Sequence, residues 1–89
     1  MKICLCFDYG FDIVEMPDTD IKNLKKLRSR FDKWCYDKDN PATFDKKSRV
    51  FNFDGKTFVG WLNDSENIPA EIIDSIFTKP DEEMPYLNF

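Results

Sequence analysis

Three thiols are the most reactive side chains in this sequence, and their spacing suits few reactions. Cys4-Leu5-Cys6 is neither a zinc knuckle nor a redox Cys-x-x-Cys, and three cysteines cannot all pair with one another. With no export signal visible, reduced thiols in a cytoplasm are the expectation, filling core positions as small apolar groups. Cys35 has the alternative of a reactive thiol, because lysines and arginines precede it on the same expected helix. There is no histidine, which removes the commonest general base, the Ser-His-Asp and Cys-His arrangements and His/Cys zinc sites.

The carboxylates point no more firmly to catalysis. Asp8 closes the first expected strand, a place where some α/β enzymes hold a metal or a nucleophile. No second acidic motif, glycine-rich phosphate loop or serine elbow accompanies it. Asp18-Thr19-Asp20 lacks the spacing of a calcium loop and reads better as a helix cap. Three glycines leave little for a phosphate cradle, and 89 residues offer little cleft for a polysaccharide. The expectation is a protein that is not an enzyme, with no cofactor and no metal.

Charge distribution is more informative. The net charge of −4 hides a segment, residues 22–49, with ten Lys and Arg against four Asp. Residues 1–21 carry one Lys against five acids, and residues 50–89 two Lys against eight. Lys22, Lys26, Arg30 and Lys33 fall within about 80° on one helix, nearly opposite its apolar stripe. They form either a ridge for phosphates or simply the solvated outer face of an amphipathic helix. Asp12, Glu15, Asp64, Glu66, Glu71, Asp74, Asp81, Glu82 and Glu83 can present a negative surface to a basic protein, or serve solubility alone. Overall acidity makes nucleic acid the less favoured partner.

These groups must be carried by a small set of elements. Lys2–Phe7 is an almost unbroken apolar run of strand length, Asp8-Tyr9-Gly10 has turn chemistry, and Phe11–Met16 reads as a second strand stopped by Pro17. So short a connection implies an antiparallel hairpin. Ile21, Leu24, Leu27, Phe31, Trp34 and Cys35 recur at three- and four-residue steps, so a helix is expected from Thr19 to about Tyr36. Arg49–Phe53 and Lys56–Trp61 flank Asp54-Gly55 and read as a second hairpin. The rival is a short helix from near Thr57, since Phe58, Trp61 and Leu62 also share helical spacing. Ile72, Ile73, Ile76 and Phe77 gather on one side of an expected second helix begun by Pro69.

The order ββαββα implies one α+β domain over residues 1–79, an antiparallel sheet of about four strands with two helices on one face. An acidic and apolar tail, residues 80–89, follows. Met84, Tyr86, Leu87 and Phe89 crowd its last six positions, so the tail either docks on the chain's own sheet or enters a partner's groove. No apolar run approaches the roughly 18 residues of a membrane span. Small size, acidity and lack of catalytic motifs are shared with inhibitors, immunity proteins and anti-defence proteins of microbes and their phages, a likeness of type and not of motif. The expected activity is therefore binding to another protein with a basic surface, through Glu71, Asp74, Asp81, Glu82 and Glu83 and the tail aromatics Tyr86 and Phe89. The alternative is an adaptor that binds nucleic acid or a phosphorylated ligand through the basic ridge. An exposed edge strand is compatible with a monomer or a self-paired copy.

Overall fold

A computed structural model describes residues 1–89. In chain order the elements are β1 (Lys2–Phe7), β2 (Gly10–Glu15), α1 (Asp18–Ile21), α2 (Leu24–Cys35), β3 (Phe44–Asp45), β4 (Val50–Phe51), α3 (Gly55–Ser65), β5 (Glu71–Ile76) and β6 (Tyr86–Asn88). This is an α+β domain, as the alternation of strand and helix patterns implies. Four strands form a mixed sheet in the order β5-β2-β1-β6, and β3 with β4 makes a small separate hairpin.

The first hairpin follows the sequence closely. Phe7 pairs with Gly10 across a two-residue Asp8-Tyr9 turn. Gly10 has φ of 150°, and a β-carbon there would lie 2.7 Å from the Ile76 carbonyl oxygen of the neighbouring strand, so only glycine fits. Alternation along β1 sends Ile3, Leu5 and Phe7 to one face and Cys4 and Cys6 to the other. On the first face lie α2, through Leu24, Leu27, Phe31 and Cys35, and α3, through Phe58, Val59, Trp61 and Leu62. Phe31 is fully buried at the centre of this layer, with the rings of Phe58, Trp61, Phe53 and Trp34 between 5.0 and 5.8 Å away.

Three expectations are corrected. The continuous helix over 19–36 is divided at Lys22-Asn23, where asparagine, poor inside a helix, precedes the first turn of α2. Asp54-Gly55 starts a helix and does not turn a hairpin. The Asp54 carboxylate accepts from the Thr57 amide at 3.0 Å while the Thr57 hydroxyl accepts from the Asp54 amide at 3.2 Å, a reciprocal cap. One helical face then buries four large groups that a hairpin would split between two. Val50 and Phe51 remain a strand, but pair with Asp45 and Phe44.

Residues 71–76 form a strand where a helix is expected. A bulge at Ile73, between the pairs Ile13–Asp74 and Val14–Ile72, interrupts the two-residue alternation. That interruption leaves apolar residues at 72, 73 and 76, a spacing that mimics a helical face. The tail, finally, is a strand of the same sheet. Leu5 pairs with Leu87 in parallel, the Cys4 amide donates to the Pro85 carbonyl at 2.9 Å and the Phe89 amide to the Cys6 carbonyl at 2.9 Å. Residues 80–89 thus close the sheet begun by residues 2–15.

Gly55 packs so tightly on β2 that a β-carbon there would collide with the Asp12 carboxylate. Gly55→Ala is therefore expected to destabilise the domain by about 1–3 kcal/mol, and Phe31→Ala by about 3–5 kcal/mol, each read as a lower urea midpoint with unchanged slope.

Candidate partner-binding surface

β5 runs in the direction of β1, because both are antiparallel to β2; β6 is also parallel to β1. The link from β5 to β6, residues 77–85, must therefore cross over β2 and β1. It does so on the face without helices. There it arches over Cys4, Cys6 and Phe11, enclosing a cleft of about 970 Å³ whose outer wall includes Asp81, Glu82 and Glu83. A second cleft of about 440 Å³ lies on the β5 side, over Ile13 and Ile76.

The five acids expected to bind a partner gather on this side. Glu71 pairs with Glu15 and Asp74 with Ile13, both in the phase facing away from the helices, and Asp81, Glu82 and Glu83 are exposed on the crossing strap. Tyr86, opposite Cys4 in β6, is 64% exposed beside them. Compensation is sparse. The Lys2 ammonium lies 3.8 Å from Glu82, and the Met1 amine donates to Glu15 at 2.7 Å. Hydrogen bonds from that amine to Glu15 and then Asp18 hold its pKa above the ordinary value.

Phe89 does not join this surface. The alternation of β6 turns Leu87 and Phe89 to the helical side, where Phe89 stacks on Phe7 at 4.7 Å beneath the Arg28 guanidinium at 4.2 Å. Its role as a partner-binding residue is withdrawn for that reason.

Asp12 also leaves the acidic surface. It is 6% exposed and shares the inward phase of Val14. Ser75 donates to its carboxylate at 2.6 Å, and Tyr9, 3.5 Å away, accepts from the Gly55 amide at 3.3 Å. This polar junction, at the positive end of α3, joins β2, β5 and the helical layer. Burial pushes the Tyr9 hydroxyl pKa up. A sequence signal exists: in a strand whose Val14 faces inward, position 12 faces inward too. Glu66 is likewise engaged, accepting from Arg30 Nε at 2.9 Å and Nη2 at 2.5 Å. Asp64 lies on α3, away from the strap.

The basic ridge lies on the far side of the molecule. Lys26, Arg30 and Lys33 are exposed on α2, whose opposite face is buried against the sheet, while Lys22 sits in the turn between α1 and α2. Arg30 is tied to Glu66, which leaves Lys22, Lys26 and Lys33 as its free cations. The free lysines of this ridge and the carboxylates of the strap thus lie on opposite faces, with Lys2 and Lys79 lining the clefts among the acids.

No family model, curated protein or solved structure matches this chain. No helix is long and apolar enough to cross a membrane.

Cys35 is fully buried, and burial pushes its thiol up to about 11 despite the lowering influence of Arg28. That is the reverse of an activated nucleophile. Cys4 is also pushed up to about 11, by burial first and then by Cys6. Because both folded values exceed the ordinary 9.0, the folded state keeps protons that the unfolded chain loses. The stabilisation is complete below pH 9 and lost as pH rises toward 11, so the urea midpoint should fall across that window in the wild type. It should fall less in Cys35→Ala, and native Cys35 should resist alkylation at pH 8.

Proposed function

We propose that this protein is a non-enzymatic binding module whose acidic sheet face docks on a basic surface of another protein. It acts as an inhibitor of the immunity or anti-defence type, competing with nucleic acid for that surface in the cytoplasm. The observation that carries this reading is the gathering of Glu71, Asp74, Asp81, Glu82 and Glu83 on one face, from β5 and the strap that follows it. An apolar floor of Phe11 and Ile13 lies beneath them, and the exposed cations of α2 point the opposite way.

Such a surface supplies both parts of a specific interface. The acidic rim attracts a basic patch and speeds encounter, while the floor and Tyr86 provide apolar area that can be buried. A polyanion would be repelled from this face by the same charges. A partner that normally holds nucleic acid presents the complementary surface, with basic groups spaced to meet carboxylates.

The test uses a partner recovered by pull-down from the native host and identified by mass spectrometry. Reversal of Asp81, Glu82 and Glu83 to Lys should slow association about tenfold or more at low salt and flatten its salt dependence. Reversal of Lys22, Lys26 and Lys33 to Glu should leave it nearly unchanged. Equal association rates for wild type and the strap variant would defeat the acidic-face reading. Retardation of nucleic acid by the wild type at low salt, lost in the ridge variant, would favour the adaptor reading instead.

A further inference from the structure

We propose that Cys4 and Cys6 form a two-thiolate site for a soft monovalent metal ion, Cu(I), on the floor of the cleft beneath the strap. The two residues are separated by two positions in β1, so both side chains leave the same face of the sheet, the face that the strap covers. Their sulfurs lie 3.9 Å apart. An ion at the usual metal–thiolate distance of about 2.3 Å from both would subtend an S–metal–S angle of about 116°. That angle is close to trigonal, so the pair can take two positions of a three-coordinate ion, without rearranging the strand, and leaves the third to another donor.

A disulfide is the poorer use of this pair. Positions two apart in a strand place their α-carbons about 6.6–6.8 Å apart with parallel side chains, at the far limit of disulfide geometry. The class of ion follows from the donors. No three His, Cys, Asp or Glu side chains are grouped to hold a metal, which leaves zinc and calcium short of ligands. Cu(I) accepts three-coordination, and two thiolates with one further soft donor select it over harder ions. Met84 lines the same cleft and offers a thioether as a third soft donor. Cys6 is only half-buried, so the site opens to the cleft.

Binding involves no change of oxidation state. Each thiol releases one proton, each sulfur forms one bond to copper delivered as Cu(I), and the product is a bis-thiolate complex. Proton release makes the affinity rise with pH. Cys35 is an internal control, because it lies in the core on the opposite side of the sheet.

The experiment titrates the reduced full-length protein with Cu(I), without oxygen, against the chromogenic chelator bicinchoninate. The wild type should hold one equivalent per chain. Cys6→Ser should lose about a hundredfold or more in affinity, Met84→Leu about tenfold, and Cys35→Ala should match the wild type. Cys6→Ser is the deciding variant because its side chain is half-exposed, and its circular dichroism is to be checked against wild type. X-ray absorption on the copper-loaded wild type provides a reading that needs no mutant, with sulfur neighbours expected. Complete removal of copper from the wild type by the chelator, equal affinity in Cys6→Ser, loss of binding in Cys35→Ala, or a first shell of oxygen and nitrogen alone would each overturn the proposal.

Discussion

The parallel pairing of β6 with β1 is the constraint on which the rest of the molecule depends. A strand that returns parallel to β1 from the opposite sheet edge must be reached by a crossover, and here the crossover is nine residues of irregular chain with neither helix nor strand. The helices already cover one face, so the strap takes the other. Its carboxylates and Met84 are thereby suspended over Cys4, Cys6, Phe11 and Ile13. The same pairing inserts Leu87 into the core and anchors Phe89 among the rings around Phe31. A single set of backbone hydrogen bonds thus completes the hydrophobic core and builds the acidic cleft.

The sheet separates two chemistries. On its helical side, apolar burial supplies stability and the outward faces of α2 carry the cations. On its other side, acidic residues of β5 and the strap surround an apolar floor. The layers are tied at Asp12, whose carboxylate is held by Ser75 of β5 and faces Gly55 at the start of α3. A buried carboxylate is costly unless hydrogen-bonded, so this junction favours one register of β5 against β2 and one approach of α3. The exposed acidic surface and the polar junction within the fold are therefore both built on carboxylates, in different environments.

Legibility varied with how local the deciding interaction was. The β1–β2 hairpin and the core face of α2 are encoded by alternation and helical periodicity over short stretches, and both are found. Asp54-Gly55 is ambiguous locally, because the same dipeptide can turn a hairpin or cap a helix. The reciprocal bonds between Asp54 and Thr57, and the pressure of Asp12 against Gly55, favour the cap. β5 is harder still. Its bulge disguises the alternation, and its identity as a strand comes from hydrogen bonding to β2, some sixty residues earlier in the chain.

Composition and periodicity alone determined that this is a small α+β domain with an amphipathic central helix, and that its charges fall into blocks along the chain. They also marked the terminal apolar cluster as a segment that must be packed. Only tertiary structure decided where it packs, that Phe89 belongs to the core while Tyr86 faces outward, and that Asp12 is buried while Asp81, Glu82 and Glu83 are displayed. The physical reason is range. Helical stripes and tight turns are set by neighbours within a few residues, whereas strand order and the face a crossover takes depend on pairing between the two ends of the chain.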